Sequence, residues 1–153
     1  MATRGNLNGQ LREALLTLQA ETPGLVGAVL LSTAGLTIVS TLPETVEADV
    51  VAAMTAPMLA LGERTVKELW QGELSQVLIK GQHGTYALVE KVNSQVAMVV
   101  LAREEAKLGL AFMNMARASL AIAIIIEEAL RAYPSSVSQK PSARAIRRLR
   151  RLK

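Results

Sequence analysis

The chain has 153 residues, half of them hydrophobic, 3% aromatic and none of them cysteine. That length suits one domain with a substantial core, and the composition rules out disulfides, thiolate catalysis and cysteine-held zinc, and argues against base stacking on aromatics. The net charge of +4 divides unevenly: residues 140–153 carry seven basic side chains and no acidic one, which leaves ten basic against thirteen acidic, or −3, on residues 1–139.

The opening MATRGNLNG lacks the hydrophobic core of a signal peptide, so a cytoplasmic location is the expectation. Residues 7–20 then place Leu7, Leu11, Ala14, Leu15 and Leu18 on one stripe, which predicts a first helix. ETPG at 21–24 stops it, because Pro23 disfavours helix at Thr22 and Gly24 relaxes the turn. LVGAVLLSTAGLTIVST follows from Leu25 to Thr41. Both alternate sets of its first half (Val26, Ala28, Leu30 and Leu25, Val29, Leu31) are apolar. A strand apolar on both faces belongs inside a sheet with cover above and below. Gly35 closes the short turn, where a positive φ is wanted, and residues 36–40 pair back antiparallel.

TLPE at 41–44 reads as a helix start: Thr41 and Glu44 have capping-box spacing and Pro43 lies in the first turn. Val46, Val50, Met54, Met58, Leu61, Thr65 and Leu69 continue at helical spacing to about Gln71, with Pro57 expected to kink the helix and Gly72 to end it. Three strands are expected at 73–80, 85–92 and 95–102, joined by the short turns GQHG and NS. The first of these is the most polar, with Ser75, Gln76 and Lys80, as suits a sheet edge. The last is apolar throughout and therefore central.

A final helix is expected over 104–132, apolar around most of its circumference, with Asn114, Arg117, Glu128 and Arg131 forming a narrow polar strip. As a membrane span it would bring Arg117 near mid-bilayer, at about 2.5–3.5 kcal/mol on insertion scales. Covering a sheet and a second helix is the better use of it. This divides the chain into a folded domain over 1–133 and a flexible linker with a basic tail over 134–153. In the tail, Ile146, Leu149 and Leu152 recur among Arg144, Arg147, Arg148, Arg150 and Arg151. Twelve such residues make an amphipathic cationic helix only when something orders them. An acidic protein surface or an anionic membrane would do so, and the acidic body offers a surface of its own. Nucleic acid is not the expected partner, since phosphate attraction alone is unspecific.

Residues that carry chemistry are sparse. GxxxxGK[ST] is absent, so the chain does not cradle a nucleotide in a P-loop. His83, the single histidine, sits in the GQHG turn and reads as exposed. Glu104-Glu105 and Glu127-Glu128 are adjacent pairs that point to different helix faces, so no metal site and no cofactor are expected. An intrinsic active site is not expected either.

The order helix, two strands, helix, three strands, helix carries TPGLVGAVLLSTAGLTIVSTLPE, ELSQVLIKGQHGTYALVEKV and QVAMVVLAREEAKLGLAFMNMARA. Taken together these resemble the roadblock family, related to dynein light chains, and in particular its bacterial members that regulate Ras-like GTPases. The likeness runs over about residues 11–132. Many relatives carry an Asp in the hairpin turn where this chain has Ser32-Thr33-Ala34. The resemblance implies a mixed α/β (α+β) fold of the roadblock/longin type: a five-stranded antiparallel sheet, the first and last helices on one face and the central helix on the other. It also implies a homodimer, with the strand at 73–80 pairing edge to edge and the central helices meeting. Met54, Met58, Leu61, Leu74, Gln76 and Leu78 are the expected dimer contacts. An open edge strand wants such a partner, since Lys80 alone is a slight deterrent.

The partner so implied is a small Ras-like GTPase, which can be activated without a second active site when its own catalytic groups are ordered or an Arg is inserted. Arg64, Lys67 and Trp70 on the central helix are the expected contacts. Arg64, Arg103 and Arg117 are the basic residues of the body that an inserted Arg would come from, against surface ion pairs of Arg64 with Glu63 or Glu68 and of Arg103 with Glu104. A structural scaffold subunit without regulatory activity is the alternative reading.

Overall fold

In the computed structural model, which describes residues 4–69 and 72–132, the doubly apolar run becomes β1 (Leu25–Ser32), the second strand of five. Before it comes α1 (Arg4–Glu21); after it come β2 (Thr37–Ser40), α2 (Ala48–Leu69), β3 (Gln76–Lys80), β4 (Thr85–Lys91), β5 (Val96–Arg103) and α3 (Leu108–Ala132). The strands are all antiparallel, in the order β2-β1-β5-β4-β3. The all-apolar β5 is central and the polar β3 is an edge, as their compositions predict.

Register explains why both faces are greasy. Val29, Val99, Val89 and Val77 form one cross-strand row facing α2. Leu30, Met98, Glu90 and Gln76 form the neighbouring row on the opposite face. There α1 and α3 lie side by side, and Leu11, Leu15, Leu18, Met115 and Ile122 close over Leu30, Leu88, Met98 and Val100. On the α2 face the cover is thinner: Val51, Ala52 and Leu59 meet Val29, Leu31, Val89 and Val99. Gly35 has φ +92° in the β1–β2 turn, where the Ser32 N–H donates to Leu36 O at 2.8 Å.

Several boundaries differ from the sequence reading. The helix expected at TLPE starts at Ala48 instead, because Thr41 is claimed by the sheet. Its N–H donates to Ala28 O at 2.8 Å, and its Oγ1 accepts the Ala28 N–H at 3.0 Å. Pro43 then serves a turn in which Val46 N–H reaches its carbonyl, and the first α2 bond runs from Val51 to Glu47. This crossing is close. A Cβ on Gly27 would lie 2.8 Å from Thr41 O and 2.9 Å from Leu42 Cα. Gly27→Val is therefore expected to cost about 1–3 kcal/mol, the usual range for forcing atoms into a packed site, measured by urea unfolding.

The last helix begins at Leu108, not 104, since Glu104 donates its N–H to Gly84 O and Ala106 turns back to Arg103 O. α1 starts earlier than expected, at Arg4. α2 runs unbroken through Pro57, which faces solvent.

Asn114 is the clearest correction. It does not lie on a polar strip but is buried, and its Nδ2 donates to Thr22 Oγ1 at 2.9 Å and to Glu21 O at 3.2 Å. It thereby ties α3 to the end of α1 and satisfies a carbonyl that the helix terminus leaves orphaned. Asn114→Ala is expected to destabilise the fold by about 2 kcal/mol, the cost of stranding buried polar partners, read as a lowered denaturation midpoint. α3 is long and apolar enough to cross a membrane by length and composition, yet one of its faces is committed to α1 and the sheet.

Candidate functional site

The periodicity of α2 gives it two apolar faces. Val51, Ala52, Thr55 and Leu59 are buried against the sheet, and Thr55 Oγ1 donates to Val51 O at 2.7 Å. On the outer side Val50, Met54, Leu61 and Leu69 stand exposed with Pro57, Met54 at 56% and Leu61 at 67%. Isolated exposed leucines are ordinary, but a stripe along five turns of one helix marks a surface that expects contact.

The C-terminal half of α2 lies over the beginning of β3, where Gly62 lets the helix approach Leu74 and Val77: a Cβ there would lie 3.0 Å from Leu74 Cδ2. β3 closes the sheet with its outer edge unpaired among the described residues. Lys80, the slight deterrent expected from sequence, does not guard that edge. Its Nζ lies 5.8 Å from the Tyr86 ring centroid, back over β4. Leu78 and Ile79, both exposed, point to opposite faces of this edge.

The expected dimer residues are thus partly brought together. Met54 and Leu61 share the outer stripe of α2, with Met58 half-buried beside them. Leu74 packs into the core beneath α2. Gln76 and Leu78 lie on the α3 face of the sheet, in register with Glu90 and Leu88. Ile79 belongs with the stripe and was missed, although two adjacent apolar residues on an otherwise polar edge strand were the signal. Arg64 is exposed and its Nε bonds Glu68 Oε1 at 3.0 Å, the surface pair expected of it. Lys67 is exposed. Arg103 forms no ion pair among the described residues, its backbone N–H instead reaching Gly24 O; the expected Arg103–Glu104 pair is absent. Arg117 and His83 are exposed. Trp70 and the arginines of the tail lie outside the described residues.

Glu90 was missed altogether. It interrupts the apolar alternation Tyr86, Leu88, Glu90 on a strand that is covered on both faces, and that interruption was legible in the sequence. Its Oε1 accepts from Gln76 Nε2 at 2.9 Å. Burial pushes its carboxyl above the ordinary 4.5, with the Gln76 hydrogen bond pulling the other way. No group of three His, Cys, Asp or Glu among the described residues is placed to hold a metal ion.

Residues 11–102 match the family model described as the Roadblock/LC7 domain. An uncharacterized protein of Methanocaldococcus jannaschii is 35% identical over 99 residues, 65% of this chain and 85% of that protein. The crystal structure of a Roadblock/LC7 domain from Streptomyces avermitilis superimposes with a TM-score of 0.65 at 24% identity, over 81% of this chain and 97% of that one. The gliding protein MglB from Thermus thermophilus gives a TM-score of 0.70 at 22% identity, over 80% and 92%. At such identities the two solved structures share the fold.

Proposed function

The chain belongs to the Roadblock/LC7 family, and from that premise we propose that it is a homodimeric regulator of a small Ras-like GTPase. Two copies join through the outer stripe of α2 and the open edge of β3. The paired α2 helices, with Arg64 and Lys67 at their C-terminal halves, present the docking platform. The activity is regulatory: the chain docks on the nucleotide-bound GTPase and orders that protein's catalytic groups, an effect that can reach about 10³–10⁵ in rate.

The observation that carries this reading is the exposed stripe Val50, Met54, Leu61 and Leu69 on α2, beside a β3 edge that is unpaired among the described residues. The resemblance to bacterial GTPase regulators supports the choice of a GTPase as partner. The test is single-turnover GTP hydrolysis by the small GTPase of the same organism, with and without the protein, together with complex formation at fixed nucleotide state. A faster rate or tighter binding of the GTP-bound form is expected. If neither the rate nor the affinity responds to nucleotide while the protein co-purifies with a larger complex, the scaffold reading replaces this one.

A further inference from the structure

The proposed dimer uses neither the Glu90 carboxylate nor the cationic segment at 140–153. Glu90 is 7% exposed, and its Oε2 has no hydrogen-bond partner among the described residues. A buried carboxylate oxygen without a partner is costly, and a cation carrying N–H donors is what relieves it. Glu90 lines a half-open cleft of about 650 Å³, bounded by the C-terminal half of α2, the segment leading into β3, the β4–β5 turn and the middle of α3. Glu63 and Glu73 add acidic groups to its wall, Leu74 and Leu120 apolar ones. Lys91 is already committed to Glu63 Oε1 at 2.6 Å, so Lys67 is the lining cation left without an ion pair among the described residues. At the mouth, Leu120 is 69% exposed and Ile124 continues the same apolar face of α3 one turn on.

We infer that this cleft holds the chain's own basic segment, residues 144–153, with an arginine on Glu90 Oε2 and the Ile146, Leu149 and Leu152 side chains on Leu74, Leu120 and Ile124. Three observations select this occupant. The segment is purely cationic, whereas residues 1–139 carry −3. It alternates arginines with apolar residues at helical spacing, matching a surface that is acidic within and apolar at its rim. The distance is also short enough. Leu120 lies twelve residues before the end of α3, or about 18 Å along the axis, and residues 133–143 can span up to about 36 Å. A planar guanidinium is the cation best suited to a single buried carboxylate oxygen flanked by an amide. Docked in this way, the segment is withdrawn from anionic surfaces, which then compete with Glu90 for it.

The absence of cysteine makes the test direct. In the full chain, Ser142→Cys carries one nitroxide label, and paramagnetic broadening of backbone amides is recorded. Broadening is expected at Glu90, Lys91, Ser119 and Leu120, to fall about tenfold in Glu90→Gln or Leu120→Ser, as loss of a charge-assisted hydrogen bond or of an apolar anchor requires. Vesicles of phosphatidylglycerol are expected to abolish it. Broadening elsewhere on the body, or cleft broadening unchanged in both variants, overturns the proposal. So does broadening seen only when labelled and isotope-enriched chains are mixed, since the occupant is then a second copy. No GTPase enters this experiment, so its outcome is separate from that of the regulatory reading.

Discussion

Leu61→Glu is expected to leave the fold intact and to separate the proposed dimer into monomers. Leu61 is exposed on the outer stripe of α2 and is not part of either core cluster. Replacing it should therefore move unfolding free energy by no more than about 0.5 kcal/mol, the usual range for surface positions. Across a two-fold interface the same substitution counts twice: each copy loses an apolar contact and two carboxylates face one another in a region emptied of water. A central interface residue truncated in this way typically costs about 2 kcal/mol or more, so the dimer dissociation constant should rise by at least about 30-fold. Light scattering across a dilution series reads this directly, with Ile79→Lys as a second variant at the β3 edge. A variant that remains dimeric at the same concentrations places the interface elsewhere. The proposed effect on a GTPase, which rests on the dimer as docking platform, is expected to be lost in step with the dimer.

Leu30→Ala is expected to give the largest loss of stability, about 3–5 kcal/mol, the range for removing a large buried side chain whose site cannot collapse. Leu30 is fully buried in β1 and lies in register with Val39 on one side and Met98 on the other, beneath α1 and α3. Strands on both sides fix its backbone and two helices close over its side chain, so relaxation into the void is limited. Domains of this size hold only about 5–15 kcal/mol in total, so this single change should shift the urea midpoint strongly or leave the chain partly unfolded without denaturant. The two substitutions form a pair. Leucines that a composition treats alike are expected to differ completely, one acting on stability and the other on association.

The order of the elements and the two-sided character of the sheet follow from the residues alone. Alternation in β1 and β5 is apolar on both faces, and strands of that kind have only one low-energy place, between other strands and under helices. The edge is equally legible, because Ser75, Gln76 and Lys80 would strand polar groups anywhere else in the sheet. Glycine at 35 follows from backbone sterics, since the turn needs φ near +92° there. These are local or periodic signals, carried by neighbours within a few residues.

Assembly of the fold settled the points where a residue has two good local options. Thr41 can cap a helix or extend a strand; the nearby Ala28 backbone claimed it for the sheet, thirteen residues away in sequence. Asn114 fits a solvated strip by composition, but α1 ends beside it with an orphan carbonyl to satisfy. Met54 and Leu59 lie on two different apolar faces of α2, and only the placement of the helix over β1 and β4 decides that the first is exposed and the second buried. Glu90 depends most on the assembled fold. Its charge is visible in the sequence, but the loss of water around it, and the cleft it faces, exist only once α3 has closed over the sheet.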